Sequence, residues 1–319
     1  MHGHGILSAQ HHCAMREQPV PYTVLGGYLG AGKTTLLNQL LRSNAGARFA
    51  VVVNDFGAIG IDAELIANQD GDTINLTNGC ICCTASDGLA DVLDRLRARS
   101  DDIDHVIVEA SGVSDPARIG NYAGAFGFEL RGVVVLADAE QVRSRSVDKY
   151  VGGTVLSQLR SADMLVLTKT DLVELSQLDE VRAWLGGTAP GTPILESAPG
   201  NVPTDIVLGE LGPAPDSPVT GATHHVDYDT WSHERSGPMD RSALEAFIGA
   251  LPDGVFRAKG IVHLADDPDH RHVLQVVGRH VSLTRDTWPV AGEERHCRLV
   301  VIAAPGALDH ERLDASMSP

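Results

Sequence analysis

Gly27-Tyr28-Leu29-Gly30-Ala31-Gly32-Lys33-Thr34 fills every fixed position of the phosphate-binding pattern G-x-x-x-x-G-K-[ST]. Its flanks support the same reading. Tyr22-Thr23-Val24-Leu25 is an apolar run with strand character, and Thr35-Leu36-Leu37-Asn38-Gln39-Leu40-Leu41 places apolar residues at helical spacing. A strand, a glycine turn and a helix start leave backbone N–H groups converging on the positive end of a helix dipole, which attracts a polyphosphate. The nucleotide-binding residues expected here are Gly27, Gly30, Ala31, Gly32, Lys33, Thr34 and Thr35. Lys33 is expected to reach the β/γ-phosphates, and the Thr34 hydroxyl to ligate Mg²⁺.

Outward from this loop the chain alternates strands with helices. Phe49 to Asp55, His105 to Glu109, Gly132 to Asp138 and Met164 to Thr168 are short apolar strands, and Pro193-Ile194-Leu195 is a weaker one. Ala85 to Arg99 has helical spacing through Leu89, Val92, Leu93 and Leu96. The expected fold class is α/β: a P-loop NTPase with a mostly parallel sheet and helices on both faces, followed by a smaller α+β C-terminal domain. Ligands of such sheets bind at the carboxyl ends of the strands.

The domain divisions follow composition. Residues 1–20 form a polar, His-rich tail, and 21–200 the P-loop domain. Residues 201–222 are a Pro/Gly-rich linker. The second domain, 223–305, holds a helix from Asp240 to Leu251 and strands at Gly260–Ala265, His272–Val277 and Cys297–Ala303. Residues 306–319 read as a polar, frayed tail.

The 319 residues carry a formal net charge of −17, with 42 acidic against 25 basic side chains. Such a balance argues against nucleic acid or an anionic membrane as the main partner. No apolar run is long enough to span a bilayer, and no secretory signal is visible. Five cysteines, three of them clustered, read as a reducing compartment with a metal or redox site. A cytoplasmic protein is expected.

Three further stretches carry chemistry. Val106-Ile107-Val108-Glu109-Ala110-Ser111-Gly112 is an apolar strand ending in an acid and then a glycine. Behind a phosphate loop, Glu109 is placed to hold Mg²⁺ through water, and the Gly112 N–H to contact the γ-phosphate. Leu167-Thr168-Lys169-Thr170-Asp171 is similar to the guanine-specificity motif NKxD, with Thr168 in the place of Asn. Asp171 would accept two hydrogen bonds from guanine that adenine cannot offer, and the Lys169 stem would cover the base. Asn78-Gly79-Cys80-Ile81-Cys82-Cys83 brings three thiols within four residues. Cys80, Cys82 and Cys83 could face one cation, and three thiolates suit Zn²⁺ or Cu(I) with one position left open. A redox pair or buried structural cysteines are the alternatives. His224, His225, His263, His270 and His272 read as surface or satisfied histidines, with an accessory metal relay as the sharper alternative.

GGYLGAGKTTLLN, VVVNDFGAIGID, NGCICC, VIVEASGVSDP and LTKTD occur in an order that resembles the CobW-type metallochaperone GTPases. The resemblance continues through Phe256–Ile261, Gln275–Gly278 and Arg298–Ile302, so it covers Tyr22 to Ala303. It implies a Mg²⁺-dependent GTPase, cycling between GTP and GDP at a low intrinsic rate, that carries zinc, or in some branches cobalt, to a client metalloprotein. It implies zinc on Cys80, Cys82 and Cys83, and Mg²⁺ and phosphate contacts at Gly32, Lys33, Thr34 and Glu109. Asp55 falls where the family has Glu in a switch-like segment, and it joins Lys33 and Glu109 as an expected catalytic residue. Ala58 replaces a further usual Glu, whereas Asp62 matches a usual acid. A nucleotide-dependent homodimer is a further expectation. Two other readings compete: a metal storage or sensor protein gated by nucleotide, and a phosphotransferase acting on a small molecule.

Overall fold

The computed structural model describes residues 18–43, 47–54, 73–76, 86–197, 202–208, 228–288 and 295–317. Among these, the P-loop domain contributes strands β1 (Pro21–Gly27), β2 (Phe49–Asn54), β3 (Thr73–Leu76), β4 (His105–Glu109), β5 (Glu129–Asp138), β6 (Met164–Thr168) and β7 (Ile194–Glu196). They form one sheet in the order β3-β2-β4-β1-β5-β6-β7, and every pairing is parallel. Strand β1 lies between β4 and β5, so the chain runs outward on both sides of it. That reversal opens a crevice at the carboxyl end of β1, where the glycine loop begins.

Apolar runs without alternation form the central strands because helices cover both faces. Helices α1 (Lys33–Ser43), α2 (Ser86–Arg97), α3 (Pro116–Gly120), α4 (Tyr122–Ala125), α5 (Val142–Ser146), α6 (Gly152–Ser161), α7 (Leu175–Thr188) and α8 (Thr204–Leu208) supply the cover. On one face Leu89, Leu93, Ile119, Val155 and Val181 pack against Val24, Val52, Val108 and Val135. On the other, Leu36, Leu37 and Leu40 of α1 pack against Leu25, Val53, Ile107 and Leu136. Helix α3 starts with Asp115 as its N-cap, accepting from the Ala117 N–H at 3.0 Å, and with Pro116 in the first turn.

The second domain is an antiparallel sheet of β8 (Asp229–Ser236), β9 (Val255–His263), β10 (His270–Val277), β11 (His280–Thr287) and β12 (His296–Ala303), in the order β11-β10-β9-β12-β8. Helices α9 (Arg241–Ala250) and α10 (His310–Met317) cover one face, with Trp231, Leu244, Phe247, Leu274, Val301 and Leu313 in the core between them. The reading of 306–319 as a frayed tail is corrected here. Helix α10 buries Leu313 and Met317, and Asp314 accepts from the Trp231 indole N–H at 2.9 Å. A helix that touches the core with only two apolar side chains gives little periodic signal.

The second sheet docks on the starting ends of β5 and β6. Phe256 and Val277 join the core on the α1 side. The Arg279 N–H donates to the Asp163 carbonyl at 3.0 Å, and its guanidinium donates to the Arg160 and Ala162 carbonyls. Glu129, at the start of β5, accepts from the hydroxyls of Ser282 and Thr284 at 2.9 and 3.0 Å. Gly278 (φ +54°) sits so close to Asp163 that a Cβ there would meet its carbonyl oxygen at 1.9 Å. Among the described residues no helix is long and apolar enough to cross a membrane.

Candidate functional site

The glycine loop closes between β1 and α1 at the middle of the parallel sheet. Gly27 must be glycine: its φ is +132°, and a Cβ would stand 2.6 Å from the Leu136 carbonyl oxygen. The Lys33 ammonium donates to the Gly27 carbonyl at 2.9 Å, which bends the lysine back over the loop, and Lys33 is buried. The Ala31 N–H closes on the Tyr28 carbonyl at 3.1 Å, and the first turn of α1 starts with Leu36 N–H to Gly32 O at 2.9 Å. Early N–H groups of α1 thus keep their free ends toward the loop, as an anion site requires.

Strand β4 delivers Glu109 beneath the start of α1. The Thr34 hydroxyl donates to Glu109 Oε1 at 3.1 Å, and Glu109 is 3% exposed. These two expected Mg²⁺ residues, 75 positions apart in sequence, are therefore neighbours. A hydroxyl and a carboxylate are hard oxygen donors, which fit Mg²⁺. The next turn is held tightly. Ser111 and Ser114 hydroxyls lie 2.5 Å apart, and the buried Gln158 of α6 donates to the Gly112 and Ser114 carbonyls at 3.1 and 2.8 Å. A Cβ on Gly112 would come within 2.7 Å of the Leu29 nitrogen, so this turn lies directly against the glycine loop.

Strand β6 delivers Thr168, Lys169 and Asp171 to the same edge. The Thr168 hydroxyl sits 2.9 Å from the Ala31 carbonyl and 3.2 Å from the Ala137 carbonyl. Thr168 therefore ties the end of β6 to the phosphate loop. Lys169 is left-handed (φ 57°, ψ 34°), and among the described residues it is the one non-glycine with positive φ. Its ammonium donates to Asp138 Oδ2 at 2.6 Å. Asp171 follows in a short turn closed by the Leu172 N–H on the Lys169 carbonyl at 3.1 Å, and it is exposed.

The structure thus brings together Gly27, Gly30, Ala31, Gly32, Lys33, Thr34, Thr35, Glu109, Gly112, Thr168, Lys169 and Asp171 along the carboxyl ends of β1, β4 and β6. Asp55, Cys80, Cys82 and Cys83 lie outside the described residues, as do Ala58, Asp62, His224 and His225. Among the described residues no three His, Cys, Asp or Glu side chains converge on a metal-holding geometry. His270 and His272 instead flank Asp267, which also pairs with Arg285 at 2.8 Å. That guanidinium and the His270 contact hold the Asp267 carboxyl down at about 2. Two residues of the site carry no motif and escape a reading of the sequence: Asp138 and Gln158. Asp138 had one signal, an acid at the end of an apolar strand, which it shares with Glu109.

Comparison with known proteins agrees with this architecture. Residues 21–196 match the family model described as CobW/HypB/UreG, nucleotide-binding domain, and residues 228–318 match the cobalamin synthesis protein cobW C-terminal domain. The chain is 31% identical over 333 residues to a protein named zinc chaperone CobW from Sinorhizobium, covering 89% of this chain and 92% of that protein. It is 30% identical over 331 residues to the zinc chaperone CobW of Pseudomonas aeruginosa, covering 89% of this chain and 87% of that one. It is likewise 30% identical over 310 residues to the zinc chaperone YjiA of Escherichia coli, covering 89% and 94%. With both models matched in order and the glycine loop, Glu109 and Thr168-Lys169-Thr170-Asp171 gathered at one sheet edge, the chain belongs to the CobW/HypB/UreG family of P-loop nucleotide-binding proteins and carries the CobW C-terminal domain.

Proposed function

We propose that this chain is a cytoplasmic, Mg²⁺-dependent GTPase that binds zinc through Cys80, Cys82 and Cys83 and transfers it to a client metalloprotein. The observation that carries the nucleotide half is the contact of Thr168 with the Ala31 carbonyl, because it makes the base-reading segment and the phosphate loop one unit. The cargo half is supported by the Cys80-Ile81-Cys82-Cys83 run and by relatives named zinc chaperones.

In this reading the chain's own groups bind, orient and neutralise. The N-terminal turn of α1 and the loop amides hold the phosphates, and Lys33 offsets charge that develops on the β/γ oxygens. Thr34 and Glu109 would hold Mg²⁺, which would supply positive charge against the phosphates. The Gly112 N–H faces the γ-phosphate, and Gln158 fixes that turn by its carbonyls. Asp171 accepts from the guanine ring N–H and amino group. Asp55 adds a carboxylate from the switch-like segment. Intrinsic hydrolysis is slow, and a client or a nucleotide-dependent homodimer raises it.

The test uses the full chain loaded with zinc. Phosphate release is followed with GTP and ATP, with and without Mg²⁺, and zinc affinity by competition with a chromophoric chelator in GDP and in a nonhydrolysable GTP analogue. Mg²⁺-dependent release from GTP is expected, with zinc affinities that differ between the two nucleotide states by about 1–3 kcal/mol. Equal zinc affinities would replace delivery by the metal-storage reading. Cobalt found in place of zinc in the purified protein would select the cobalt-delivering branch.

A further inference from the structure

The geometry points to Asp138 as a specificity-determining positioning residue, which holds Lys169 and the turn carrying Asp171 in the one arrangement that reads guanine. The inference rests on the proposed guanine-binding role of Asp171 and deepens it.

Asp138 ends β5 directly opposite Thr168 at the end of β6. Asp138 is buried, its side chain 9% exposed, and both carboxylate oxygens are committed. Oδ1 accepts from the Glu140 and Gln141 N–H groups at 2.9 and 3.2 Å, which fixes the carboxylate to its own turn. Oδ2 accepts from the Lys169 ammonium at 2.6 Å. The two strand ends are further joined by the Ala139 N–H on the Thr168 carbonyl at 3.0 Å. Asp138 is therefore a rigid post, and Lys169 is the part that would otherwise move.

Two features show that Lys169 needs such a post. Its backbone is left-handed, a conformation that disfavours a residue with a Cβ by about 1–2 kcal/mol. It also carries a four-carbon stem whose rotamer freedom is among the largest of any side chain. A charge-assisted hydrogen bond to a buried carboxylate offsets both costs before nucleotide arrives. With its ammonium pinned, the stem presents one apolar side to the pocket edge, a surface on which a base can lie. The same constraint fixes the direction in which the chain leaves Lys169, and Asp171 follows two residues later. A carboxylate that reads two donors on one base edge discriminates only when it is held in register with that edge. Asp138 touches no part of a nucleotide in this scheme and acts through Lys169.

The test is base selectivity. Affinities of the full-length protein for GDP and ADP are measured by calorimetry for the wild type, Asp138→Asn, Lys169→Met and the double variant. Asp138→Asn keeps both turn contacts within reach of an amide oxygen but loses the ion pair. It is expected to lower the GDP-to-ADP affinity ratio about tenfold, the equivalent of 1.4 kcal/mol, while ADP affinity stays within about twofold. Lys169→Met keeps an apolar stem and frees it from the post, and it is expected to lose the ratio to a similar extent. The double variant should be no worse than either single one, since both remove the same interaction. A general loosening of the phosphate loop would weaken ADP as much as GDP and would overturn the inference. So would a wild-type ratio in Asp138→Asn or, should that variant fail to fold, in Lys169→Met, whose side chain is 31% exposed. A wild type that binds GDP and ADP equally refutes the guanine reading itself, and the role of Asp138 falls with it.

Discussion

Replacing Thr168 by Val tests whether the end of β6 and the phosphate loop are joined as described. Val is close in shape to Thr, so packing is kept and only the hydroxyl is lost. That hydroxyl has one proton and two acceptors nearby, the Ala31 carbonyl at 2.9 Å and the Ala137 carbonyl at 3.2 Å. The shorter contact is the one that matters for nucleotide, since Ala31 lies inside the loop. Thr168 is half-buried, so water can reach the orphaned carbonyl only in part. Leaving a buried acceptor without its donor costs about 1–3 kcal/mol. Only the share of that cost borne by the GDP-bound state alone lowers affinity, so the middle of the range sets a ceiling of about thirtyfold in Kd for GDP, because each 1.4 kcal/mol is a factor of ten. Thr168→Asn is the counterpart: its amide restores a donor one bond further out, and binding within about threefold of the wild type is expected. Calorimetric titration of GDP, paired with a thermal melt, separates lost affinity from lost fold. If Thr168→Val binds GDP within twofold of the wild type and melts at the same temperature, the junction contributes nothing and the rigid-unit argument fails.

Glu129→Ala should destabilise the protein by about 1–3 kcal/mol, because it leaves the partly buried Arg131, paired with Glu129 at 3.0 Å, without its counter-charge and strips the acceptor from Ser282 and Thr284; a change under about 0.5 kcal/mol in denaturant unfolding counts against it. Burial, with the charges of Arg131 and Arg257 adding to it, pushes His105 from 6.5 down to about 3. The folded chain then refuses a proton that the unfolded chain takes up, so this stabilisation is full above pH 6.5 and is lost toward pH 3 at about 1.4 kcal/mol per unit. Burial also lowers His263 and His272, with the same sign. Urea melts at pH 7.5 and 5.5 should show the loss, and His105→Gln should flatten it; an unchanged slope in that variant removes the argument. Replacing Cys80, Cys82 and Cys83 together by Ser should abolish tight zinc binding while GDP affinity stays within about threefold, since oxygen ligands of serine bind zinc weakly; retained zinc at equilibrium dialysis would exclude the motif as the site.

Much of the P-loop domain was legible because its chemistry is periodic or fixed by spacing. Continuous apolar runs mark β1, β2, β4, β5 and β6, since strands covered on both faces need no polar side. The glycine loop and the Thr168-Lys169-Thr170-Asp171 stretch announce themselves by pattern. Strands β8 and β11 do not. Trp231 is the buried residue of β8, and polar side chains fill most of its other positions, as they do in β11 at the sheet edge. Such edge strands resemble loops in composition. The contacts of Asp138 and Gln158 were unreadable for another reason. Their roles depend on partners 31 and 46 residues away, and nothing in the local sequence names those partners.

One stretch of the seam between the two domains is built on main chain. Gly278 meets the Asp163 carbonyl with no room for a side chain, and Arg279 donates to the carbonyls of Arg160, Ala162 and Asp163. Every residue type carries the same carbonyl, so three of the acceptors in this joint are indifferent to what amino acid bears them. Within that stretch the demand for identity falls on Gly278 and Arg279. As far as these contacts go, position 160 can drift, whereas Ala162 is also buried in the core and the Asp163 carboxylate also accepts from the Val133 N–H at 2.8 Å; a change at Gly278 or Arg279 strikes the contacts themselves.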